Sequence, residues 1–204
     1  MDRLEIKPSK TLCIYGGAFD PPHRGHLHCV LIAKKYFPNA KIIVLPTPTN
    51  TTSKNTKSSF YHRFKMVKLL MPPYVYVSAI EQRRKFIYSY QTLRYLKQGR
   101  FKQYVFQCII GDDQLTNFTN WEYWKKILTL AHLFVIPRLL SKSAIDTLCV
   151  RLRKQVPMML GVSVASQKPV LISSTHLRES VFEPPPNIRM YSKKNKLYRY
   201  ATYS

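Results

Sequence analysis

Residues 11–26, TLCIYGGAFDPPHRGH, place a short apolar run, two adjacent glycines, a proline pair and two histidines in one stretch. The apolar run over residues 11–17 has the length and composition of a buried β-strand. The prolines stiffen the turn that follows, and Gly25 and His26 open a segment with apolar residues at helical spacing. The stretch therefore predicts a strand, a constrained turn and the start of a helix.

This turn has the chemistry of an anion site. Gly16 and Gly17 let a ligand approach the backbone and leave amide hydrogens open to phosphate oxygens. The helix start adds partial positive charge, and His23 and His26, three residues apart, can face one anion together. Two alternatives are weaker: histidines that only satisfy local hydrogen bonds, and a zinc site that would also use His28 but has no second ligand group nearby.

Strand-like and helix-like segments alternate along the rest of the chain. The strand-like segments are apolar throughout, which is typical of strands buried on both faces of a sheet. The pattern predicts an α/β fold, a Rossmann-like doubly wound parallel sheet with helices on both faces. The predicted strands are residues 11–17, 40–46, 74–80, 103–111, 132–137 and 168–173. The predicted helices are residues 25–37, 60–71, 89–98, 120–131, 141–155 and 174–181.

Polar segments follow three of the predicted strands. They are the turn after residue 17, the segment IIGDDQ and the segment LISSTHLR, and we expect them to meet at the carboxyl edge of the sheet. Residues 46–59 are polar and lack periodicity, which predicts a flexible loop. No repeat or linker divides the chain, so we expect a single domain over residues 1–204.

The composition is that of a globular protein with an unusual charge. The chain has 33 Lys and Arg against 10 Asp and Glu, a formal net charge of +23, and 45% hydrophobic residues. Such a field attracts polyanions, but the cations spread over the whole chain and no RNA-binding motif accompanies them, which disfavours a nucleic-acid partner. Four scattered cysteines and the lack of a signal or membrane segment indicate a reducing cytoplasm.

Two motifs carry a family resemblance. Gly17-x-Phe19-Asp20-Pro21-x-His23-x-Gly25-His26 resembles the G-x-F-D-P-x-H-x-G-H signature of the nucleotidylyltransferase superfamily. Residues 172–178, ISSTHLR, are similar to its second signature, I-S-S-T-x-x-R. The hydroxyls and amides of that second segment also suit an anion at a helix start, where a cation in the first turn opposes the helix dipole unless an anion lies between.

The middle of the chain resembles one branch of that superfamily. Residues 111–121, GDDQLTNFTNW, resemble the G-x-D-x-L-x-x-F-x-x-W segment of bacterial nicotinate-nucleotide adenylyltransferases, and residues 88–93, YSYQTL, resemble the Y-T-x-x-T-L before it. The polar run over residues 46–59 departs from the family, since it replaces a P-P-H-K-like stretch. A histidine contact to substrate phosphate is therefore either missing or supplied by Lys54 or Lys57.

The resemblance implies adenylyl transfer from ATP to nicotinate mononucleotide, giving nicotinate adenine dinucleotide and pyrophosphate in NAD biosynthesis, with Mg²⁺ brought by ATP and no protein side chain as a metal ligand. The alternatives are a nicotinamide-mononucleotide or other small-molecule adenylyltransferase, and a basic nucleic-acid-binding module on the same fold. The partners expected are the two small-molecule substrates and no membrane; homo-oligomer formation is left open.

The resemblance also assigns residues to roles. The catalytic residues implied are His23, His26 and Arg178. The ATP site implied is Gly16, Gly17, Phe19, His23, His26, Arg138, Ser174, Thr175 and Arg178, and the mononucleotide site is Ser89, Gly111, Asp113 and Trp121. Ser89 and Asn120 are expected to cap helices whose amides favour a carboxylate on the pyridine ring, with Glu122 turned to solvent.

Overall fold

The computed structural model describes residues 10–48, 56–166 and 184–198. Within them a sheet of six parallel strands has the order β3-β2-β1-β4-β5-β6. Its strands are β1 Thr11–Gly17, β2 Lys41–Pro46, β3 Val75–Val77, β4 Val105–Gly111, β5 His132–Ile136 and β6 Val162–Val164. The helices are α1 Arg24–Tyr36, α2 Phe60–Leu70, α3 Ile80–Arg84, α4 Ser89–Gln98, α5 Asp112–Thr116, α6 Trp124–Leu130, α7 Lys142–Gln155 and α8 Pro186–Lys194.

Both faces of the sheet are buried at its central strands, which explains why those strands are largely apolar. Leu12 and Cys13, adjacent on β1, are both fully buried and belong to different core clusters. The cluster around Cys13 includes Val30 of α1 and residues of α2 and α8. The cluster around Leu12 includes residues of α4, α6 and α7, among them Leu93. The doubly wound α/β fold predicted from the sequence is therefore confirmed.

The strand order reverses between β1 and β4, and this reversal predicts where a ligand crevice lies. The chain leaves β1, adds β2 and β3 on one side, and then returns to place β4 on the other side of β1. Ligands of open parallel sheets bind beyond the carboxyl ends of the strands where the order reverses in this way. Here that point lies between Gly17, which ends β1, and Gly111, which ends β4.

Several sequence-based elements differ from the structure. The strand predicted over residues 74–80 is only Val75–Val77, and the helix predicted over residues 120–131 is divided into a 3₁₀ turn, Phe118–Asn120, and α6. The division occurs at Tyr123, whose φ of 59° is left-handed and cannot continue an α-helix. The elements β6, α3, α5 and α8 had no prediction because each is short or begins among prolines.

The structure also bears on the polar stretch over residues 46–59. Pro46 completes β2, and Lys57 and Ser58 hydrogen-bond the turn after β1. The remaining part of that stretch, residues 49–55, lies outside the described residues, as do the predicted strand 168–173 and helix 174–181. No helix in the described ranges is long and apolar enough to cross a membrane.

Candidate functional site

His23 and His26 form a stacked pair at the start of α1. His23 is the N-cap residue of this helix, and its backbone N–H donates to Nδ1 of His26 over 3.1 Å. The ring centroids are 3.7 Å apart with an angle of 29° between the planes. Because Nδ1 of His26 accepts a hydrogen bond, the neutral ring carries its proton on Nε2. The second ring nitrogen of His26 is thereby set as a donor.

Both histidines are held in the neutral form. Burial, together with the charge of Arg138, lowers the pKa of His23 to about 3. Burial, the neighbouring His23 and the charge of Arg138 lower the pKa of His26 well below its ordinary value. Nδ1 of His23 is buried and has no hydrogen-bond partner among the described residues. A nearby anion would oppose these shifts, because a negative charge favours the protonated form of a histidine.

Phe19 closes the turn between β1 and the histidines. Its backbone is left-handed, with φ of 51°, and its ring is almost fully buried. The ring meets His26 edge to face with centroids 4.7 Å apart. A Cβ atom on Gly17 would come within 3.3 Å of the Phe19 ring, so glycine at that position makes room for the turn. Packing of the aromatic ring thus fixes both the glycine turn and the His26 ring.

Asp20 fixes the turn to distant parts of the chain. Its buried carboxylate accepts hydrogen bonds from the backbone N–H of Lys57 at 2.5 Å and from the backbone N–H of Ser58 at 3.2 Å. The hydroxyl of Tyr198, near the end of the chain, also donates to Asp20. Lys57 therefore contacts the turn through its backbone, and Lys54, the other lysine considered for a phosphate contact, lies outside the described residues.

Arg63 of α2 is a second brace that the sequence analysis did not identify. It is completely buried and donates to the carbonyl oxygens of Ala18 at 2.6 Å, Thr47 at 2.8 Å and Ser58 at 3.3 Å. Burial lowers the pKa of Arg63, while the charge of Asp20 opposes that shift. One planar guanidinium therefore joins the loops that follow β1 and β2 to the start of α2. The signal in the sequence was a single arginine on the apolar stripe of a helix.

The carboxyl ends of β4 and β5 bring Gly111, Asp113 and Arg138 together. Oδ1 of Asp113 lies 3.8 Å from Nη1 of Arg138, and this oxygen is buried with no hydrogen-bond partner among the described residues. A Cβ atom at position 111 would collide with the same oxygen, and Cδ of Arg138 would lie only 3.4 Å away. Glycine at this strand end is therefore required for Asp113 and Arg138 to meet.

Asp112, beside the predicted Asp113, is a functional candidate that sequence reasoning missed. Its carboxylate is completely buried and accepts hydrogen bonds from four backbone N–H groups, those of Asp113, Arg138, Leu139 and Leu140. Burial by itself would raise the pKa of this carboxyl, but the four donors lower it overall. The pair of aspartates in IIGDDQ was the available signal.

Ser89, predicted as a helix cap and a mononucleotide contact, is the exposed first residue of α4 rather than its cap. The cap is Tyr88, and Oε1 of Gln91 accepts the backbone N–H groups of Ile87 and Tyr88 at 2.8 and 3.0 Å. The glutamine three residues on supplies the capping oxygen instead of the serine hydroxyl. The amides of residues 87 and 88 are therefore already occupied.

Trp121 lies on a turn that packs close to the start of α4. Its indole is partly buried, with its ring centroid 5.3 Å from that of the fully buried Phe118. Tyr123 connects the turn to α4, since its ring lies 5.6 Å from Tyr88 and 5.2 Å from Tyr90. The structure thus brings the regions of Ser89 and Trp121 together.

Two expectations about this turn have different outcomes. Asn120 was expected to cap a helix, which is wrong, because it ends a 3₁₀ turn and α6 begins only at Trp124. Glu122 is exposed, as expected, although no helix begins there to favour it. Two helix starts were expected to face the pyridine carboxylate, and of these only the start of α4 is a helix start in the structure.

The second signature lies outside the described residues. Ser174, Thr175 and Arg178, predicted to contact ATP, belong to residues 167–183, which the structure does not describe. Their roles remain predictions from the sequence. In the described ranges no group of three His, Cys, Asp or Glu side chains can hold a metal ion. Both buried aspartates near the crevice, Asp20 and Asp112, already accept hydrogen bonds from the protein.

Several known proteins are similar in sequence to this chain. A model of the cytidylyltransferase-like family matches residues 14–180. A probable nicotinate-nucleotide adenylyltransferase of Buchnera aphidicola subsp. Acyrthosiphon pisum is 32% identical over 189 residues, covering 85% of this chain and 87% of that protein. The probable enzyme of the same name from Leptospira interrogans is 30% identical over 199 residues, covering 91% and 95% of the two chains.

A solved structure gives the same fold at lower identity. The Plasmodium falciparum nicotinic acid mononucleotide adenylyltransferase complexed with NaAD superposes with a TM-score of 0.72 and 20% identity. The superposition covers 94% of this chain and 98% of that one. At this identity the likeness shows the fold alone, and it agrees with the α/β fold observed here.

Proposed function

Because the chain belongs to the nicotinate-nucleotide adenylyltransferase family, we propose that it transfers the adenylyl group of ATP to nicotinate mononucleotide. The products are nicotinate adenine dinucleotide and pyrophosphate. The observation that carries this proposal is the neutral His23–His26 pair, which lies at the start of α1 beside the point where the strand order reverses. Donors aimed into such a crevice suit the phosphates of a nucleotide.

The reaction needs alignment and charge stabilisation more than proton transfer. The phosphate oxygen of the mononucleotide attacks the α-phosphorus of ATP and is already an anion, so no general base is required. Nε2–H of His26 donates to a phosphate oxygen, and the donor is preorganised because Nδ1 is fixed by the His23 backbone. The backbone of Gly16, Gly17 and Phe19 lines the nucleotide site.

Positive charge near the phosphates comes from two arginines in this proposal. One is Arg138, whose charge adds to the effect of burial in lowering the pKa of both histidines. Arg178, with Ser174 and Thr175, is assigned to the β- and γ-phosphates on the sequence signature alone. Mg²⁺ enters as part of the MgATP substrate, which fits a crevice whose described carboxylates Asp20 and Asp112 are engaged by the protein.

The mononucleotide occupies the other side of the crevice. Oδ1 of Asp113, which accepts no hydrogen bond from the described residues, suits a ribose hydroxyl that donates to it above Gly111. The pyridine ring stacks on Trp121, and its carboxylate faces the start of α4 at Ser89. Amides at a helix start favour the acid over the neutral amide, which supports nicotinate as the preferred acceptor. This assignment now depends on α4 alone, because Asn120 caps no helix.

The assignment of roles is tested by one variant at each of the two proposed substrate sites. Arg178→Ala should raise the KM for ATP with a smaller change in kcat, because a ground-state phosphate contact is lost. Trp121→Ala should raise the KM for nicotinate mononucleotide and leave the KM for ATP near that of wild type. Steady-state pyrophosphate release with each substrate varied in turn measures both. If the two variants raised the same KM, the division of the crevice would be wrong.

A further inference from the structure

The carboxylate of Asp112 occupies a nest of backbone amides. One oxygen, Oδ2, accepts the N–H groups of Arg138, Leu139 and Leu140 at 2.8, 2.7 and 2.7 Å. The other, Oδ1, accepts the N–H of Asp113 at 2.9 Å. Three successive amides converging on one oxygen form the concavity that proteins use to bind anions. Here the anion is a side chain of the same protein, fully removed from solvent.

This arrangement fixes the turn from which Arg138 extends. β5 ends at Ile136, and α7 does not begin until Lys142, so residues 137–141 belong to neither element. The backbone of this turn is bound by the carboxylate of Asp112, which directly follows the neighbouring strand β4 and begins α5. Its charge and its three hydrogen bonds to residues 138–140 therefore set the backbone position of Arg138 relative to β4.

The guanidinium of Arg138, a residue assigned to ATP, lies beside Asp113, a residue assigned to the mononucleotide. Nη1 lies 3.8 Å from Oδ1 of Asp113, and the arginine charge lowers the pKa of His23 and His26. A small displacement of its backbone would move a positive charge out of the crevice. An error of about 1 Å in a positioned group can cost roughly a hundredfold in rate.

We propose that Asp112 is a positioning residue, which holds the turn over residues 138–140 so that Arg138 meets the phosphates of ATP. The inference rests on the proposed function for the identity of the ligand, but its structural content is independent of catalysis. Asp112 touches no substrate in this account and acts through Arg138. Removing the charge of Asp112 should therefore weaken the binding of ATP only while Arg138 is present.

A double-mutant cycle tests this. Asp112→Asn keeps the size of the side chain but places an amide group, itself a donor, toward one of the backbone donors. We expect Asp112→Asn and Arg138→Ala each to raise the Kd for MgATP about tenfold, and the double variant to match Arg138→Ala alone. Calorimetry gives the Kd without turnover, and pyrophosphate release gives kcat and KM. Asp146→Asn, an exposed aspartate on α7, is the matched control for charge and should bind MgATP like wild type.

The outcomes separate the two proposals. Additive losses in the double variant, or an unchanged Kd in Asp112→Asn, would overturn the positioning role. If wild type binds MgATP but forms no dinucleotide, the proposed function fails and the cycle in Kd still decides the role of Asp112. Wild type that does not bind MgATP would overturn both. If Asp112→Asn melts below the assay temperature, Asp112→Glu replaces it, because one extra methylene keeps the charge but displaces the turn, and the same loss is expected.

Discussion

The backbone N–H of His23 donates to Nδ1 of His26 over 3.1 Å, while the two imidazole rings stack 3.7 Å apart. This one hydrogen bond determines which nitrogen of His26 carries the proton. It leaves Nε2–H as the donor available to a ligand. The role assigned to His26 follows from this relationship, and so does the first prediction.

His26→Ala should lower kcat by about 10²–10³-fold with a smaller change in the KM for ATP, as for loss of a preorganised donor to a developing charge. Steady-state pyrophosphate release measures both parameters. His28→Ala, two residues along the same helix, is the control and should keep kcat near wild type. Equal losses in both variants, reversed by added zinc, would instead support a metal centre at the three histidines.

Stability should fall at acid pH because of His23. Its pKa is about 3 in the folded protein and about 6.5 when unfolded, so the unfolded chain binds the proton more tightly. The contribution of neutral His23 to the free energy of unfolding is complete above pH 6.5 and is lost as the pH falls toward 3. Relative to His23→Gln, wild type should lose about 2 kcal/mol of unfolding free energy between pH 8 and pH 5. Urea unfolding at both pH values measures it, and parallel curves for the two proteins would contradict the buried neutral ring.

Glu81 should have the opposite effect. Burial raises its pKa to about 7, although the hydroxyl of Thr92 donates to it at 2.7 Å and opposes that shift. The folded protein therefore binds this proton more tightly, and the stability it gives is complete below about pH 4.5 and lost as pH rises through 7. Compared with Glu81→Gln, wild type should lose stability between pH 5 and pH 8. An unchanged difference in stability between wild type and the variant over this interval would show that Glu81 is ionised throughout.

Arg63→Lys should destabilise the protein even though the charge is retained. A lysine ammonium cannot reproduce the planar fork that reaches the carbonyls of Ala18, Thr47 and Ser58. We expect a loss of about 2–3 kcal/mol in unfolding free energy and a higher KM for ATP, because the turn after β1 loosens. Arg94→Lys, at an exposed position of α4, should change neither quantity. Equal stability of the two variants would contradict a stabilising role for the Arg63 guanidinium.

The sequence predicted the fold and the histidine pair because both depend on local patterns. Apolar strands such as β1 and the glycine turn before α1 follow from residues close together in the chain. Asp112 and Arg63 were missed because their function depends on contacts 26 residues or more away, as between Asp112 and Arg138, or on loops joined through space, as between Arg63 and Ala18. No periodicity or spacing encodes such contacts.

The predictions of Ser89 and Asn120 as helix caps were wrong for a different reason. Ser89 and Asn120 have the composition of N-caps, but a glutamine oxygen caps the first helix and a left-handed tyrosine delays the second. Cap preferences are small compared with the packing of Tyr88, Tyr90 and Tyr123 against one another. Tertiary packing therefore decided where these helices begin.

The choice of acceptor substrate is the most direct test of the proposed function. Purified protein is given MgATP with nicotinate mononucleotide or with nicotinamide mononucleotide, and kcat/KM is measured for each by pyrophosphate release and by identification of the dinucleotide. We predict nicotinate adenine dinucleotide as the product and a clear preference for the acid, because the amides at the start of α4 favour an anion. Equal or greater kcat/KM with the amide would contradict that preference and make Glu122→Tyr the next variant to test. If neither acceptor gave a dinucleotide, the proposed function itself would be contradicted.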